Sequence, residues 1–223
     1  MTSPVTRADA RPARPLRAGL VLTAAAALVL AGCSADSEDS AGAPAASVGT
    51  RSSAPAADAP ADGRELIAAH GLEGMDAKEA IEHLDTLETS ERDQDLIASV
   101  RTDVLLLRDR ADETVQATLP MPEDEFYLSF APYVSQTHDC FYHSLTTCVG
   151  ELQNEDVTVT ITQDDGTVLV DEATTTYDNG FYGVWLPRDV QATLTVESGG
   201  RTGTATIGTG EDDLTCLTTL PLT

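Results

Sequence analysis

The chain has 223 residues, with 13 Lys and Arg against 37 Asp and Glu, for a formal net charge of -24 at pH 7. So acidic a molecule does not bind nucleic acid or an anionic surface by general electrostatics. Its scattered carboxylates keep it soluble and attract cations weakly, without naming one.

The first segment reads as a leader. Arg7, Arg11, Arg14 and Arg17 precede an apolar run from Leu20 to Leu30, closed by Leu30-Ala31-Gly32-Cys33. A basic start, a short apolar stretch and small residues at a cleavage point describe a signal peptide over residues 1–32. The run is too short for a comfortable membrane span. Leu-Ala-Gly-Cys there is the bacterial lipobox pattern, which makes Cys33 the expected lipidation site. The mature protein is then extracytoplasmic and lipid-anchored at the outer face of the cell membrane. The competing reading is a secretory peptide with a chance cysteine. Residues 33–63 are Ala, Ser, Pro, Gly and Asp with few large apolar side chains. Such a segment buries too little surface to offset its chain entropy and predicts a disordered, lipid-anchored linker, with a reach on the order of 30 Å.

Residues 64–120 are expected to be mainly helical. Glu65–His70 reads as a short helix ended by Gly71. Asp76 with Glu79 forms a capping-box pattern, followed by Ala80, Ile81, Leu84 and Leu87 on one helical face. A further helix is expected from near Ser90, carrying Leu96, Ile97 and Val100 inward. Val104–Leu107 is an unbroken apolar run that periodicity leaves open between helix and strand. Val115, Ala117 and Leu119 alternate with polar residues, as in a strand.

Residues 121–223 read as a β domain carrying a Cys/His metal site. Phe126–Phe130 is a strand. Val157, Val159 and Ile161 alternate with Thr158, Thr160 and Thr162, giving one buried and one wet face. Asp165-Gly166, Asn179-Gly180 and Gly199-Gly200 mark turns between further strands at Thr167–Val170, Phe181–Trp185, Ala192–Val196 and Thr204–Ile207. Leu214–Leu220 makes the last strand. Short strands at this spacing predict a sandwich or barrel. The fold class is therefore α+β: a small N-terminal helical portion, then an antiparallel β-sandwich or barrel-like domain.

The chemistry concentrates in Thr137-His138-Asp139-Cys140-Phe141-Tyr142-His143-Ser144-Leu145-Thr146-Thr147-Cys148, with Cys216 far downstream. If Cys33 is lipidated, three cysteines remain, an odd number for an exported protein. Cu(I) is soft and favours thiolates, so Cys140, Cys148 and Cys216 can make a trigonal site without a fourth ligand. Imidazole suits Cu(II), which places His138 and His143 as candidate ligands for the oxidised ion. Thiolates can pass electrons to Cu(II), ending as a disulfide and Cu(I). Zinc, with three Cys and one His, is the inorganic competitor, weakened by the absence of a Cys-x-x-Cys knuckle. Exported cysteines usually oxidise, so a Cys148–Cys216 staple with Cys140 free stays open beside the metal reading. His70 and His83 are isolated from any cysteine and read as surface or capping residues.

The string His-x-Cys-x-x-His-Ser-Leu-Thr-Thr-Cys resembles the signature of the CueP family. So do Tyr127-Leu128-Ser129, Ala131-Pro132-Tyr133, Asn179-Gly180-Phe181, Trp185-Leu186-Pro187-Arg188 and Thr215-Cys216-Leu217-Thr218-Thr219. The resemblance runs from about residue 65 onward. It implies copper resistance outside the cytoplasm and copper held by three cysteines, here Cys140, Cys148 and Cys216. The lipobox and long tether depart from a freely soluble carrier.

The expected protein is thus a non-enzymatic copper binder that sequesters or delivers copper, with stoichiometric Cu(II) reduction an open addition. Its expected partners are copper ions, the membrane through its anchor, and an unnamed copper-receiving protein. Self-association stays open. A thiol-disulfide oxidoreductase attacking through Cys140 is an alternative, though it lacks a Cys-x-x-Cys motif. A disulfide-stapled structural or adhesive β module is another.

Overall fold

A computed structural model describes residues 61–223; the leader, Cys33 and nearly all of the linker lie outside the described residues. Helix α1 (Ala61–Ala69) is followed by α2 (Ala77–Asp85). Asp76 caps α2 reciprocally with Glu79, as its sequence predicts. The buried stripe of α2 is Ala77, Ala80, Ile81, Leu84 and Asp85, the spacing of one helical face.

The helix expected from Ser90 is not there. Leu96–Val100 is strand β1, paired antiparallel with β2 (Val104–Asp109), which pairs with β3 (Gln116–Pro120). Residues 64–120 therefore hold two short helices and three strands and are not mainly helical. Two short apolar runs separated by Arg101-Thr102-Asp103 carry no decisive period. Pairing them across a tight turn satisfies both backbones at once, and Arg101 N–H donates to the Val104 carbonyl at 2.9 Å. Helices and sheet enclose one core, including Leu72, Ile81, Leu96, Leu105 and Leu119.

The remaining strands are β4 (Glu125–Tyr133), β5 (Asp156–Gln163), β6 (Val168–Thr175), β7 (Tyr182–Pro187), β8 (Gln191–Ser198), β9 (Arg201–Gly208) and β10 (Cys216–Pro221). They form two open sheets, ordered β10-β4-β7 and β6-β5-β8-β9. Phe126, Leu128 and Phe130 from β4 share a second core with Val157, Val159 and Ile161 from β5 and Leu194 and Val196 from β8. This is the expected sandwich; neither sheet closes into a barrel. One pairing departs from the antiparallel expectation, since β10 runs parallel to β4 with Cys216 opposite Ser129. Side-chain alternation has a period of two in both arrangements, so it does not distinguish them.

Strand β4 is buried on both faces. Alternate residues fill the sandwich, while Tyr127, Ser129 and Ala131 face the other way. That second face forms the floor of the cysteine cluster.

Candidate metal centre

The loop after β4 carries His138, Cys140, His143 and Cys148 and doubles back along β10. Thr137 Oγ1 donates to the Thr218 carbonyl at 2.6 Å. The Thr215 and Cys216 amides donate to the Phe141 carbonyl at 3.0 and 3.1 Å. The loop also ties to β1, with Val100 N–H on the His143 carbonyl and Leu145 N–H on the Ala98 carbonyl. Its two ends are joined by Glu151, whose carboxylate accepts the Val134, Ser135 and Gln136 amides and the Ser135 hydroxyl. These donors stabilise the charged form and pull the Glu151 carboxyl down to about 2.

This folding back brings all three predicted cysteines together. Cys140 and Cys216, 76 residues apart in sequence, are joined as a disulfide with a Cα–Cα separation of 5.6 Å. Cys148 is free and buried, its sulfur 3.7 Å from that of Cys140. The Cys148–Cys216 staple that the sequence left open is not the one formed, since the disulfide joins Cys140 to Cys216. The reason is local: the Ser144–Cys148 turn, closed by Cys148 N–H on the Ser144 carbonyl, holds Cys148 aside while Phe141 registers Cys140 against β10. Ala131, Phe181 and the sulfurs form a separate small core.

The two histidines fall in different sets of the cluster. His138 is exposed and groups with Cys140 and Cys148; His143 is wholly buried and groups with Cys148 and Cys216. In each group the potential ligand atoms lie within 4.8 Å of one another. His70 instead faces Asp93, and His83 is exposed on α2.

The sequence reading missed the group that sets the electrostatics. Asp85, fully buried, accepts the His143 Nε2 proton at 2.9 Å. It also accepts from Tyr127 Oη at 2.8 Å, Ser129 Oγ at 3.3 Å and Asn179 Nδ2 at 2.9 Å. Burial alone would raise its carboxyl, but His143, Tyr127 and Arg92 hold it below the ordinary value. Burial alone would lower the His143 imidazole; the charge and hydrogen bond of Asp85 outweigh this and lift it to about 9. Burial would raise the Cys148 thiol, but the hydrogen bond and charge of His143 and the Ser144 amide bring it below normal. The buried His143 thus favours the charged form of both Asp85 and Cys148. The buried Arg92 adds its Nη1–H on the Cys148 carbonyl at 2.7 Å. One signal for Asp85 was available: it lies four residues after Ile81, inside the apolar stripe of α2, where an acid needs a partner.

The family model described as "Periplasmic copper-binding protein CueP" matches residues 79–221. The chain belongs to the CueP family. The CueP match spans every residue of the centre, Asp85 included. A crystal structure of S.CueP superposes with a TM-score of 0.67 at 41% sequence identity, covering 74% of this chain and 99% of that one. No curated protein matches.

Proposed function

We propose that this CueP-family chain is an extracytoplasmic copper-binding protein whose site is built from Cys140, Cys148 and Cys216, flanked by His138 and His143. The observation that carries this reading is the meeting of three sulfurs from two distant chain segments in one small core. Soft thiolates select Cu(I), which needs only two or three of them. A Cys3His zinc site remains the competing coordination. A pair of would-be ligands joined as a disulfide supports redox chemistry, in which zinc takes no part.

The same reading extends to reduction of Cu(II) without an outside reductant. Two Cu(II) ions each take one electron from the Cys140 and Cys216 thiolates. The sulfurs couple as a disulfide, and the two protons the thiols carried pass to water. Cys148 stays reduced beside them and can hold one of the two Cu(I) ions formed, while the other leaves to solvent. This is stoichiometric, so it does not make the protein an enzyme. Anchoring through Cys33 belongs to the same proposal, supported by Leu30-Ala31-Gly32-Cys33.

The test is anaerobic titration of the fully reduced chain with Cu(I). One equivalent is expected to give thiolate-to-copper ultraviolet absorption, lost when Cys140, Cys148 or Cys216 becomes Ser. Absence of stoichiometric copper, or an unchanged signal in all three variants, would overturn the reading.

A further inference from the structure

We propose that copper passes through two overlapping three-ligand stations that pivot on the Cys148 sulfur: an outer one at His138 and Cys140, and an inner one at His143 and Cys216. The inference rests on the copper reading above and adds a path to it.

With the Cys140–Cys216 bond reduced, each station offers three ligand atoms, which lie within 4.8 Å of one another in the folded chain. Metal–thiolate bonds of about 2.3 Å separate two sulfurs on one trigonal ion by roughly 4 Å. The Cys140–Cys148 sulfur pair, at 3.7 Å, matches. On the inner side, His143 Nδ1 lies 3.7 Å from the Cys216 sulfur. The two sets have only Cys148 in common.

Exposure orders them. His138 is open to solvent, Cys140 is half-buried, Cys148 is nearly covered, and Cys216 and His143 are fully buried. Of the outer ligands, His138 alone lines a cavity of about 150 Å³, together with Gln136 and Glu151. An arriving ion therefore meets His138 before any fully buried ligand. Exchanging His138 and Cys140 for His143 and Cys216 while Cys148 stays bound moves the ion inward without stripping its ligands. No electron moves in this step. Protons displaced from the ligands leave to water.

The disulfide has a consequence for both stations. It joins one sulfur of the outer set to one of the inner set. Oxidation therefore leaves each station with Cys148 and a single histidine, and both weaken together.

The test uses the full chain, fully reduced and free of oxygen, taking Cu(I) from its bicinchoninate complex. Transfer is followed by stopped-flow absorbance, and affinity by equilibrium competition with the same chelator. His138→Ala is expected to slow transfer about tenfold and leave affinity within about twofold. His138→Met, which restores a soft ligand, is expected to recover most of the rate. His143→Gln is expected to weaken affinity about tenfold or more, with folding checked by circular dichroism. An unchanged rate in His138→Ala, or a loss of affinity there equal to that of His143→Gln, overturns the two-station path alone. Failure of the unsubstituted chain to take any copper sinks the copper reading and the path with it.

Discussion

His143 Nε2 lies 2.9 Å from Asp85 Oδ1, and solvent reaches neither side chain. The contact joins the last residue of α2 to the middle of the cysteine loop. Asn179 and β4 complete the shell, with Asn179 Nδ2 on both the Asp85 carbonyl and its carboxylate. Breaking a buried ion pair from one side leaves an uncompensated charge, which typically costs about 3–5 kcal/mol. Asp85→Ala is therefore expected to destabilise the reduced protein by that order in urea denaturation at pH 7. A change under 0.5 kcal/mol, in the range of an ordinary surface substitution, would show that the pair is not formed in solution.

The same pair sets the pH dependence. The folded value of His143, about 9, lies above its ordinary 6.5. Its contribution is fully present below about 6.5 and is lost as pH rises through about 9. Asp85 is depressed below its ordinary 3.8, so its contribution is present above that value and disappears as pH falls through the lower folded one. Stability should thus be greatest between about pH 4 and 6.5 and fall toward pH 9, by on the order of 3 kcal/mol. Denaturation midpoints measured across pH 5 to 10 would expose the error if they stayed flat.

Oxidised protein should contain one titratable thiol in the 61–223 region. Peptide mapping is expected to find Cys140 linked to Cys216 and Cys148 alkylated after unfolding. Closing a loop of this length stabilises by about 4 kcal/mol on the chain-entropy account. Cys140→Ser should lose much of that in the oxidised state, and Cys148→Ser should not. Recovery of Cys148–Cys216 as the dominant pair would contradict the arrangement.

Gly150 holds the end of the cysteine loop against the turn at Asn179-Gly180. A Cβ at Gly150 would sit 2.6 Å from the Gly180 carbonyl oxygen and 2.9 Å from the Ala131 Cβ. Gly180 itself has φ +77, so neither backbone is free to adjust at little cost. Gly150→Ala is expected to cost about 1–3 kcal/mol and to weaken copper binding in the titration above. Wild-type stability in this variant would mean that the two segments are not in contact.

Cys33→Ala should leave the protein unlipidated. Cell fractionation and metabolic labelling with palmitate are the measurements. Continued label and membrane association in the variant would remove Cys33 as the anchor.

Several parts of this centre were legible in the residues themselves. The capping box at Asp76 and the alternation of β5 and β8 are local patterns, each set by contacts within a few residues. The clustering of His138, Cys140, His143 and Cys148 needed only counting, and the family string extended it to Cys216. The helix misread at Leu96–Val100 shows where local pattern stops, because five apolar residues acquire a period only once a partner strand is supplied.

By itself the amino-acid order singled out the candidate metal ligands, placed the sandwich strands, and required three thiols to be reckoned with together. Only the tertiary structure decided which two sulfurs pair, that His143 is buried while His138 is not, and that Asp85 stands behind the imidazole. Those are questions of distance and solvent access between segments as far apart as Asp85, Ser129, His143 and Asn179. Burial and Coulomb interaction depend on separation in space, and only the folded chain defines that separation.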